Sequence, residues 1–114
     1  MKIKLLKNYL NKIVKVKIDR PINTKHPTCD IIYSINYGYL PNTISGDGKE
    51  IDAYILGVDK PLKEFKGKVI AVIHRLNDIE DKLVVAPINK NYNKQEILNQ
   101  VNFQERYFNI QIIL

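Results

Sequence analysis

Asp47 and Asp52 stand five residues apart across the bend SGDGKEID, where a polar loop gives way to an apolar run. Two carboxylates so placed can meet at one cation. A hard ion such as Mg²⁺ takes one or two carboxylates and fills its shell with water and phosphate oxygens. Asp beside Gly is also a favoured turn pair, and turn chemistry alone would account for it. A second acidic group adds weight to the metal reading. Asp78, Glu80 and Asp81 lie in the next hairpin and lead at once into Lys82. Out of context, DIEDK reads as a solvated hairpin tip. If it faces the first loop, the two turns can hold more than one cation. Paired cations polarise a phosphoryl group and lower the pKa of water. The chemistry to which these residues point is metal-assisted hydrolysis at phosphorus.

The elements that must position them are mostly strands. Val14, Val16 and Ile18 alternate with Lys15, Lys17 and Asp19, a half-buried strand with one polar face. Pro21 and Pro27 bracket a loop holding Lys25 and His26. Short strands are predicted over Ile31 to Tyr37, Asp52 to Val58, Val69 to His74 and Lys82 to Ala86. Gly67 ends a connection, and Asn77 to Asp81 is a polar turn. One helix is predicted, Lys94 to Phe108. Asn93 caps it, Glu96 completes a capping box, and Ile97, Val101 and Phe108 form its core face. Several strands followed by a helix make an α+β fold, a small five-stranded OB-like β-barrel with a C-terminal helix.

The bulk properties fit this. The chain has 114 residues, the size of one domain, 1 to 114. No apolar run approaches a membrane span, and residues 1 to 11 are too interrupted for a secretory signal. Cys29 is the single cysteine, which excludes an intrachain disulfide and a C-x-x-C knuckle and places the protein in a reducing cytoplasm. The net charge of +6 is spread along the chain, so composition explains it better than a nucleic-acid partner.

From about Val16 to Pro87 the chain carries, in order, IDR, YSINYGYLPNT, DGKEID, EDK and LVVAP, with FQERYF further on. In their order and spacing these resemble the soluble inorganic pyrophosphatases of family I, in a short form. The resemblance implies the same OB-like barrel and Mg²⁺-dependent hydrolysis of pyrophosphate. Asp47 and Asp52 match the first and last aspartates of the family's D-G-D-P-x-D metal motif. Asp78, with Glu80 or Asp81, matches its hairpin acids. Arg20 and Lys82 match phosphate ligands, and Tyr33, Tyr37 and Tyr107 match site tyrosines. A small phosphoanhydride is the implied partner, and self-association into a homo-oligomer is implied as well.

The chain also departs from the pattern. Lys49 stands where the family has the middle aspartate that helps activate water, and an ammonium neither ligates a metal nor takes a proton. Glu50 is its neighbour, but adjacent strand residues point to opposite faces. The family's N-terminal K-Y-E segment has no counterpart before Arg20, and Phe108 replaces the lysine after the helix tyrosine. Lys25, His26 and Lys49 are candidates for restoring positive charge. His26 otherwise reads as a loop residue and His74 as a satisfied strand-end residue.

The leading expectation is a Mg²⁺-dependent hydrolase of pyrophosphate or a related phosphoanhydride. Arg20, Tyr37, Lys82 and Tyr107 carry the chemistry, together with Tyr33 hold the substrate, and the acids hold metal. Two rivals remain: a degenerate module that binds a phosphate-rich ligand, for which Lys49 is the best support, and an OB-like nucleic-acid binder, against which the acidic loops argue.

Overall fold

The computed structural model describes residues 6–44, 48–78 and 80–114. Its strands are β1 (Ile13–Arg20), β2 (Asn36–Leu40), β3 (Ile51–Ile55), β4 (Glu64–Arg75), β5 (Lys82–Ala86) and β6 (Ile110–Ile113), with helix α1 (Lys94–Glu105) between β5 and β6. The sheet runs β1-β2-β3-β5-β4-β6, and β1 also pairs with the first half of β4. That pairing closes a five-stranded barrel. Strand β6 lies along the second half of β4, where β1 does not reach. All pairings are antiparallel except β3 with β5.

Side chains alternate between two apolar clusters. Val16, Ile51, Ala53, Ile55, Leu83 and Val85 share one; Tyr37, Tyr54, Val84, Ala71 and Ile73 share the other with Ile97 and Val101 of α1. With cover on both faces, β3 and β5 read as unbroken apolar runs rather than alternating ones. Leu6 is fully buried in the first cluster, so residues 6–11 pack onto the domain.

Two glycines explain where strands meet. A β-carbon on Gly38 would lie 1.9 Å from the Lys17 carbonyl oxygen across the β1–β2 pair. One on Gly67 would lie 2.5 Å from that of Ala86. Gly67 is thus inside β4, where the strands approach closely, rather than the end of a connection. The expected strand from Ile31 shifts too: β2 begins at Asn36, and Ile32 makes only an isolated bridge to Lys25.

Asn36 is fully buried. Its Oδ1 accepts from the Ile22 and Leu62 amides at 3.0 and 3.2 Å, and its Nδ2 donates to the Lys60 carbonyl at 2.9 Å. One side chain therefore fastens two connections onto β2. Asn36→Ala leaves three part-buried backbone groups short of a partner, an expected cost of about 2–3 kcal/mol at up to roughly 1 kcal/mol each. Chemical denaturation reads this directly; an unchanged midpoint would mean that the connections are held by other contacts.

Helix α1 has the expected capping box. The Asn93 side chain accepts from the Glu96 amide at 2.8 Å, and Glu96 Oε1 accepts from the Asn93 amide at 2.9 Å. The helix ends at Glu105, before Phe108, because the chain must turn into β6. Phe108 is accordingly not on the helix's core face. Its ring lies under the Arg75 guanidinium, 3.7 Å from centroid to Cζ.

Candidate active site

Strand ends and the last turn of α1 converge on a pocket of about 890 Å³. Strand β1 brings Asp19 and Arg20; β2 brings Tyr37. Glu50 and Asp52 come from β3 and its approach, Arg75 and Asp78 from the end of β4, Glu80 and Lys82 from the start of β5. Tyr107 and Phe108 come from beyond the helix. Parallel pairing sets Asp52 directly beside Lys82.

Lys82 is the centre of this arrangement. It is 2 % exposed, and an ammonium so deep persists only with close partners. Its Nζ donates to Asp52 Oδ2 at 2.8 Å, Glu80 Oε1 at 3.0 Å and Tyr37 Oη at 2.8 Å. Tyr37 is itself buried, and burial, with the Asp52 charge next, pushes its phenol well up. It stays protonated at neutral pH.

Arg20 Nη1 donates to Tyr33 Oη at 2.6 Å, and its guanidinium lies 5.6 and 5.8 Å from the Tyr33 and Tyr37 ring centres. Burial disfavours its charge, but the bond to Tyr33 and the nearby phenols outweigh this and raise its pKa. Tyr33 is fully buried behind Arg20 and does not itself line the pocket, whereas Tyr107 is exposed on its wall. Burial raises the Asp19 carboxyl, with Asp52 and Glu50 adding to the shift.

The five candidate metal ligands separate. Asp47 lies outside the described residues. Asp52 and Glu80 face one point, the Lys82 nitrogen. Asp78 Oδ2 accepts from Arg75 Nη1 at 3.3 Å. Asp81 is buried away from the pocket, where it accepts from the Arg75 amide at 3.0 Å and faces His74 Nδ1 at 3.1 Å. His74 is therefore satisfied at its strand end, and of the Glu80/Asp81 pair it is Glu80 that reaches the pocket. Among the described residues no three acidic, histidine or cysteine side chains are gathered tightly enough to hold an ion alone. The all-oxygen pair Asp52 and Glu80 nevertheless suits Mg²⁺, which needs only one or two carboxylates beside water and phosphate.

Of the three residues considered for restoring charge, His26 and Lys49 line the pocket; Lys25 does not, and pairs with Asp30 at 3.1 Å. Burial and the nearby Arg20 lower the His26 pKa. Glu50 also lines the pocket. Glu50 and Lys49 both precede β3, where the alternation of strand faces does not apply, and both line the pocket.

Sequence reasoning missed Arg75, Gln104 and Glu105. Arg75 is 4 % exposed and Glu105 1 %. Arg75 Nε and Nη2 donate to Glu105 Oε1 and Oε2 at 3.0 and 2.6 Å, a two-pronged pair that holds the Arg75 pKa above its usual value despite burial. The run FQERYF carries Gln104 and Glu105 beside its tyrosine, whereas Arg75 has no local signal. Glu105→Ala strands a buried guanidinium and should cost about 3–5 kcal/mol. Thermal unfolding measures it, and a loss below ~1 kcal/mol would mean that Asp78 and water suffice for Arg75.

Comparison with known proteins follows the same lines. The family model for inorganic pyrophosphatase matches residues 5–110. Inorganic pyrophosphatases from two strains of Xylella fastidiosa are 32% identical over 80 residues, 61% of this chain and 43% of theirs. The match thus spans less than half the length of those relatives. The fold is similar to the crystal structures of inorganic pyrophosphatase from Ehrlichia chaffeensis (TM-score 0.68, 16% identity, 90% of this chain and 85% of that one) and Neisseria gonorrhoeae (0.65, 19%, 85% and 74%).

Proposed function

Because this chain belongs to the inorganic pyrophosphatase family, we propose that its pocket hydrolyses pyrophosphate, or a closely related phosphoanhydride, with Mg²⁺. The observation that carries this reading is the charge balance of the wall. Among the described residues, Asp19, Asp30, Glu50, Asp52, Asp78 and Glu80 outnumber Arg20, Lys49, Arg75 and Lys82. Such a pocket repels a bare polyanion and accepts one accompanied by divalent cations. The same balance argues against a module that binds phosphate without metal, and against a nucleic-acid surface.

Asp52, Glu80 and Asp78 would hold the metal, with Asp47 completing the motif. When bound, the ion neutralises phosphate charge and makes water more acidic. Arg20, held by Tyr33, would bind a phosphoryl oxygen, and Lys82 would do so as Asp52 and Glu80 turn from its ammonium to the metal. Tyr37, kept protonated, offers a hydrogen bond to oxygen, and Tyr107 closes the outer wall. Water attacks one phosphorus in line, and the P–O bond to the bridging oxygen breaks. Lys49 cannot take the water's proton. Glu50, just before β3 and lining the pocket, takes it in this reading, and the departing phosphate recovers a proton from solvent.

A reducing, cytoplasmic setting is part of the proposal and rests on the free, exposed Cys29. Among the described residues no helix is long and apolar enough to cross a membrane. Self-association is carried by family membership, and sedimentation would measure it. Release of phosphate from pyrophosphate with Mg²⁺ tests the function; a folded protein with no release overturns it.

A further inference from the structure

Beyond the residues given roles above, a buried chain of hydrogen bonds joins the two pocket guanidiniums. Arg20 donates to Tyr33 at 2.6 Å, Tyr33 to Gln104 Oε1 at 2.8 Å, Gln104 Nε2 to Tyr54 at 2.6 Å, and Tyr54 to Glu105 Oε2 at 2.6 Å. Arg75 reaches the same carboxylate from the other side. Every bond donates toward Glu105, so each polarises the next. Burial, then the Glu105 charge, pushes the Tyr54 phenol well up, which keeps its proton in the chain.

We propose that Arg75 is a second phosphate-binding guanidinium, and that Gln104 and Glu105 are positioning residues that set its spacing from Arg20. This rests on the pocket being a phosphate site. A guanidinium has five N–H groups in a fixed fork. Among the described residues Arg75 donates from Nε and Nη2 to Glu105 and from Nη1 to Asp78, three of those five groups, and its side chain lines the pocket. Glu105 cancels its charge at long range, so Arg75 offers directed donors rather than net attraction. The Phe108 ring fixes the plane of the fork from one side and Glu105 fixes its rotation. Adjacent residues on one helix turn thus anchor both arms, Gln104 through the tyrosines and Glu105 directly.

The test is calorimetric titration of methylenediphosphonate with Mg²⁺ into the wild type, Arg75→Lys and Tyr54→Phe, beside turnover of pyrophosphate. Arg75→Lys keeps the charge and loses the fork, and should weaken binding about tenfold. Tyr54 does not line the pocket, so a purely structural hydroxyl there would lower the unfolding temperature and leave affinity alone. The clamp predicts roughly threefold weaker binding in folded Tyr54→Phe, because the chain to Arg20 is cut. Wild-type affinity in both variants overturns the clamp while wild-type turnover leaves the proposed hydrolysis standing. Wild-type binding without turnover, with both variants weakened, keeps the clamp and overturns the hydrolysis. No binding by the wild type overturns the clamp.

Discussion

Asp52→Asn lowers Mg²⁺-dependent turnover about 10²-fold or more while the protein stays folded, an effect in the range for removing one preorganised electrostatic contact. Asp52 is the carboxylate that parallel pairing fixes beside Lys82, and with Glu80 it forms the pocket's oxygen pair. Asparagine retains an oxygen that can accept from Lys82 Nζ, and Glu80 and Tyr37 continue to bind that ammonium. The fold therefore keeps its buried cation satisfied. What is lost is charge, and a neutral amide is a poor ligand for a hard dication. Steady-state rates against Mg²⁺ concentration, with far-ultraviolet dichroism on the same sample, give the answer. Full activity at ordinary Mg²⁺ would remove Asp52 from the metal site.

Glu50→Gln is expected to reduce kcat by about 10²–10⁴-fold, the usual contribution of a positioned base, with KM little changed. Glu50 is exposed at the pocket wall, so its amide costs the fold little. A variant with wild-type kcat would transfer the role to another carboxylate, of which Asp19, raised by burial, is the nearest in chemistry.

The barrel and the main polar constellation were readable in the sequence for local reasons. Alternation marks β1, apolar runs mark β3 and β5, and the Asn93–Glu96 box marks α1. Among the described residues, Asp19, Arg20, Tyr37, Asp52, Glu80 and Lys82 of the motifs IDR, NYGY, DGKEID and EDK lie on or beside neighbouring strands, so their order along the chain translates into one pocket. What escaped depended on contacts far apart in sequence. Gly67 looks like a breaker until β5 is laid against it. Phe108 fits a helical period, yet the helix stops three residues earlier so that β6 can pair with β4. Arg75 and Glu105 are thirty residues apart and look like surface charges, and only the fold shows that they neutralise one another in the core. Strand alternation sets Glu50 and Lys49 on opposite faces, but β3 begins only at Ile51, so both side chains line the pocket.

The central claim is that this pocket uses a divalent cation to hydrolyse pyrophosphate. The most direct measurement is phosphate release from pyrophosphate by the purified chain with Mg²⁺, and again with EDTA in excess. Release that requires Mg²⁺ and stops with the chelator is the predicted result. Either no release from the folded protein, or release that persists undiminished in EDTA, would contradict it.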